Sequence, residues 1–107
     1  MKILLDESLP RKIRYDFGKD HDVWSVRDKD WLGKKNGELL KLMIDDGFEL
    51  FVTADQNLQY QQRIEKLPVT IAVLKGSDNR LTTLQKLIPL LFHKLKEGNL
   101  PNVIEIF

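Results

Sequence analysis

The sequence predicts a three-layer α/β/α sandwich around a mostly parallel sheet of about five strands. Three observations lead there. Short apolar runs alternate with segments of helical spacing along the 107 residues. The runs are apolar throughout rather than alternating, as strands buried on both faces are. Two of them, Ile3-Leu4-Leu5-Asp6-Glu7 and Leu50-Phe51-Val52-Thr53-Ala54-Asp55, end in carboxylates. Parallel strands would bring those carboxylates to one edge of the sheet, where open α/β folds bind ligands.

The first strand is expected at 2–5. A helix over 10–17 follows, with proline at its first position, Ile13 and Phe17 four apart, and Gly18 past its end. Residues 21–26 read as a second strand and 28–35 as a polar loop carrying Trp31 and Gly33. Asn36 is placed to cap a helix bearing Leu39, Leu40, Met43 and Ile44, which Gly47 closes. A third strand covers 49–53, and a short glutamine-rich helix covers 57–65. The β-branched run 69–74 makes a fourth strand before the turn-forming 75–79. A long helix is expected over 81–96, with Pro89 kinking or splitting it because proline lacks the N–H and clashes with the preceding turn. Gly98 ends that helix, and 103–107 form a last strand.

Composition narrows the function classes. The length suits one domain over 1–107, and no apolar stretch approaches the ~20 residues of a membrane span. The first residues enter a strand directly, so no signal peptide is expected. The absence of cysteine removes disulfides, thiolate nucleophiles and cysteine zinc sites, and a cytoplasmic protein is expected. Net charge is only +1, but if Asp6, Glu7, Glu38 and Asp55 converge, twelve acidic residues face seventeen basic ones elsewhere. Such a surface tolerates phosphate.

A hard cation such as Mg²⁺ or Mn²⁺ takes oxygen ligands, usually one or two carboxylates with waters and substrate phosphate. Asp6 and Asp55 at strand ends, with Glu38 from the first turn of a helix, make a candidate three-point site. Each also has a plainer role. A strand-end aspartate serves as a turn former or helix cap, and a first-turn glutamate gains about 0.3–1 kcal/mol from the helix dipole alone. Glu7, Asp28, Asp78 and Asn57 are weaker candidates. Basic anchors for single-stranded RNA are Arg80, at a helix start, with Arg11, Lys12, Lys34 and Lys35. Trp31 is a loop aromatic able to stack on a base, while Trp24 is assigned to the core. His21 and His93 lack partners at metal-ligand spacing and read as structural or surface residues.

The segments Leu4-Leu5-Asp6-Glu7-Ser8-Leu9-Pro10 and Thr53-Ala54-Asp55-Gln56-Asn57, with Arg27-Asp28, Trp31-Leu32-Gly33 and Gly37-Glu38-Leu39-Leu40 between them, resemble the small single-domain PIN-like proteins. The resemblance implies a Mg²⁺- or Mn²⁺-dependent ribonuclease, often the toxin of a toxin–antitoxin pair, with Asp6, Glu38 and Asp55 around the metal. Ser8, Asn36 and Asn57 stand where such relatives often carry asparagine, an acidic residue and a second aspartate. These departures make the site less negative and argue against tight binding of two metals. The alternatives are a non-catalytic PIN-like module that binds RNA or protein, and a receiver-type phosphoacceptor domain. The latter lacks the Ser or Thr expected after its fourth strand. A homodimer through Leu50-Phe51 or the last strand is a further expectation, set against a core role for both.

Overall fold

The computed structural model describes residues 1–34, 36–56, 68–98 and 101–107. Five strands, β1 (Lys2–Leu5), β2 (Asp22–Ser25), β3 (Leu50–Thr53), β4 (Thr70–Leu74) and β5 (Val103–Ile106), form one sheet in the order β2-β1-β3-β4-β5. Every neighbouring pair is parallel. All strands therefore finish at the same edge, and the sandwich expected from the apolar runs is what forms. The glutamine-rich segment expected over 57–65 lies outside the described residues, as do Asn57 and Lys35.

Alternation along the strands divides the core in two. Ile3, Leu5, Leu50, Val52, Ala72, Leu74, Ile104 and Ile106 face one layer, built from the 3-10 helix Arg11–Phe17 and from α2 (Leu81–Gln85) and α3 (Ile88–Leu95). Leu4, Phe51, Ile71 and Val73 face the other, where α1 (Asn36–Asp45) contributes Leu39 and Met43. At roughly 25 cal/mol per Å² of apolar surface, burial on both faces is the main force holding these short strands together.

The local differences have physical causes. Segment 11–17 winds as a 3-10 helix, not an α-helix. The Ile13 N–H bonds the Pro10 carbonyl three residues back at 3.1 Å, the tighter winding, and the segment buries only Ile13 and Phe17. Gly47, at φ +82°, turns the chain from α1 toward β3 in a conformation L side chains avoid. The long C-terminal helix is broken: α2 ends at Gln85, and Pro89 sits in the first turn of α3, where its missing N–H costs nothing.

Trp24 corrects the sequence reading. It lies on the edge strand β2 and is 37% exposed rather than core. Its indole N–H donates to Asp22 Oδ1 at 2.7 Å, and the Lys29 ammonium stands 5.0 Å from its ring. Leu50 and Phe51 are fully interior, as are Ile104 and Ile106, whereas Phe107 is exposed.

Candidate functional site

The chain leaves β1 outward to β2 and returns across β1 to β3, so the direction of travel reverses at the β1–β3 pair. Crevices at such reversals bind ligands in open α/β sheets. The register Leu5↔Val52, continued one residue beyond the strands, sets Asp6 opposite Thr53 on the same face.

Thr53 is fully buried, and its hydroxyl donates to Asp6 Oδ2 at 2.6 Å. The Ser8 hydroxyl donates to the same oxygen at 2.8 Å. Backbone groups hold both hydroxyls: the Ala54 N–H donates to Ser8 Oγ at 3.2 Å and the Asp55 N–H to Thr53 Oγ1 at 3.0 Å. Asp6 is thereby fixed by two charge-assisted bonds that spare Oδ1, and Thr53 ties it to the backbone of Asp55. Ser8, a departure from the PIN-like pattern, is part of this support.

Toward β2 the same edge opens into a cleft of about 240 Å³ lined by Leu5, Asp6, Glu7, Leu9, Pro10, Arg11, Arg14, Ser25, Arg27 and Asp28. Arg14 is fixed in it by Asp28 Oδ2 at 2.9 Å and the Val23 carbonyl at 3.3 Å. The Ser25 N–H, donating to Asp28 at 2.9 Å, and then Arg14 hold the Asp28 carboxyl below the usual aspartate range. A folded-state pKa below the unfolded one contributes stability above the unfolded value of ~3.9, lost as pH falls through the folded value. Because the pair is partly solvent-exposed, its worth is at most about 1 kcal/mol. Asp28→Asn should therefore lower the melting temperature by a few degrees at pH 7 and flatten the wild-type decline as pH falls below the unfolded value of ~3.9, read by thermal melts along the acid limb.

The remaining candidates are distributed as follows. Asp55 is exposed at the end of β3. Glu38 is exposed in the first turn of α1 and ion-paired with Lys34 at 3.2 Å. Asp78 and Arg80 follow β4, where the Thr83 hydroxyl and then the Arg80 N–H lower the Asp78 carboxyl. Lys12 is exposed on the 3-10 helix. Trp31 packs edge-on to Phe48, with centroids 6.0 Å apart, and adjoins the core on the α1 face. His21 stacks on Phe92 at 5.0 Å, a structural placement. Arg14 and Arg27 escaped sequence reasoning because no local pattern marks two arginines thirteen residues apart as neighbours.

Among the described residues no group of three or more His, Asp or Glu side chains stands together as a metal cage. The Asp6 carboxylate, pre-positioned by Ser8 and Thr53 through Oδ2, is an oxygen donor of the kind a hard divalent cation takes. No family model, curated protein or solved structure matches the chain. What fold and site define is a class, an open parallel α/β domain with an aspartate-and-arginine crevice at its carboxyl edge.

Proposed function

We propose that the protein is a metal-dependent ribonuclease of PIN-like type, hydrolysing RNA phosphodiester bonds at the carboxyl edge of the sheet. The carrying observation is the Asp6 carboxylate, held by one buried and one half-buried hydroxyl at the rim of a cleft that also presents three arginines. Asp6 and Asp55 would hold Mg²⁺ or Mn²⁺, with Glu38 able to join once released from Lys34. A bound ion of this kind supplies an activated water and neutralises charge on the phosphoryl oxygens. The chain's own part is to keep Asp6 in one rotamer through Ser8 and Thr53 and to bind the RNA backbone by guanidinium contacts. Single-stranded RNA is the favoured substrate, since its unstacked nucleotides can enter a small cleft. A cytoplasmic site of action and pairing with an antitoxin protein belong to the same reading. A neighbouring gene for a small DNA-binding protein would support that pairing.

The Lys34–Glu38 ion pair favours a second reading, a module that binds RNA without cutting it. Purified protein incubated with mixed cellular RNA, with Mn²⁺ or with EDTA, separates the two. The nuclease reading expects fragments with Mn²⁺ and intact RNA with EDTA. Intact RNA in both arms, with no rise in melting temperature on adding Mn²⁺, would leave the binding module.

A further inference from the structure

We infer that the cleft beside Asp6 is a subsite for one nucleoside monophosphate unit, which takes the phosphate on Arg11, Arg14 and Arg27 and the nucleoside against Leu9 and Pro10. The inference rests on the reading that RNA binds at this edge of the sheet, and it specifies how a single nucleotide is gripped there.

The three arginines come from separate places, Arg11 at the start of the 3-10 helix, Arg14 one turn further on and Arg27 past β2, yet they line one cavity. Their states differ in a useful way. Arg14 is held in place: Nη2 is spent on the Val23 carbonyl and Asp28, which leaves Nε and Nη1 to meet a ligand. Among the described residues Arg11 and Arg27 form no ion pair, and both are exposed. One fixed guanidinium and two adaptable ones suit a phosphate, whose oxygens accept bidentate N–H donation.

The rest of the lining says what else the ligand carries. Three carboxylates, Asp6, Glu7 and Asp28, balance the three guanidiniums, so a purely anionic ligand gains little from the cleft as a whole. A ligand with phosphate at one end and hydrogen-bond donors at the other matches both signs, and a nucleotide with an amino-bearing base has that character. Leu5, Leu9 and Pro10 add an apolar wall for the sugar and base. The volume, about 240 Å³, lies just under the ~300–1,000 Å³ range of small-molecule sites and admits one such unit.

The test is calorimetric titration of the whole protein in EDTA, where no hydrolysis occurs, with cytidine 5′-monophosphate, cytidine and inorganic phosphate as separate probes. The nucleotide should bind at least about tenfold more tightly than either fragment. Arg11→Ala and Arg27→Ala should each weaken it about tenfold, with melting temperatures unchanged. Lys86→Ala, outside the cleft, should bind as wild type does. Inorganic phosphate binding as tightly as the nucleotide, or arginine variants binding it as wild type does, would overturn the subsite. Nucleotide binding that follows the arginines in a protein that leaves RNA intact would keep the subsite and remove the nuclease reading. Cleavage by the arginine variants at wild-type KM would do the reverse.

Discussion

Asp6→Asn is expected to abolish RNA cleavage while leaving the fold intact, whereas Asp6→Ala should damage both. The amide oxygen of asparagine can still accept the Ser8 and Thr53 hydroxyls that now converge on Oδ2, so the network survives in weaker, uncharged form. The stability cost should stay near about 1 kcal/mol, a few degrees in melting temperature. The negative charge that would hold a cation is lost, and with it several kcal/mol of transition-state stabilisation, on the order of a hundredfold or more in rate. Alanine instead removes their shared acceptor and leaves the fully buried Thr53 hydroxyl with only the half-buried Ser8 hydroxyl, 3.3 Å away, to donate to, at about 1–3 kcal/mol. Thr53→Val isolates one half of that effect and also deprives the Asp55 N–H of its acceptor. Cleavage of mixed RNA with Mn²⁺, paired with melts of the same preparations, reads both outcomes. An Asp6→Asn protein that cuts at the wild-type rate would remove Asp6 from the chemistry.

The largest loss of stability is expected at Phe51. It is among the largest fully buried side chains, on the central strand β3, and it faces Leu39 and Met43 of α1 through the core on that side. Phe51→Ala removes a ring that neighbouring strands cannot collapse to replace, at about 3–5 kcal/mol. Against a total near 5–15 kcal/mol for a domain of this kind, the melting temperature should fall by roughly 20 °C. Differential scanning calorimetry measures it directly. A shift under about 5 °C would mean that the α1 face is less tightly packed than its burial indicates.

The strands were readable because burial on both faces leaves unbroken apolar runs, and β1, β3 and β4 lie within a residue of where those runs predict them. Their order in the sheet was not readable. Nothing local in Leu4 or Phe51 says that residues 47 apart will be neighbours. The same long-range pairing creates the support around Asp6, so Asp6 and Asp55 could be picked out as strand-end carboxylates, but not the Thr53 hydroxyl between them. Trp24 was misassigned to the core because a tryptophan inside a strand reads as buried, and nothing local says that this strand, Asp22–Ser25, lies at the sheet edge with a partner on one side only. The 3-10 helix was mistaken for an α-helix because proline, a stripe of two apolar residues and a closing glycine serve either winding.

Placing β1 inside the sheet has a consequence for synthesis. Its partners are β2 on one side and β3 on the other, so the second arrives only when Thr53 has been made. At roughly 5–20 residues per second, Ile3, Leu4 and Leu5 wait several seconds on the ribosome with an unpaired, fully apolar strand. During that interval a two-stranded β1–β2 pair cannot stand by itself. The stretch that later carries the Asp6 network thus waits for the middle strand, and the Asp6 carboxylate gains its Thr53 partner only when that strand pairs with it.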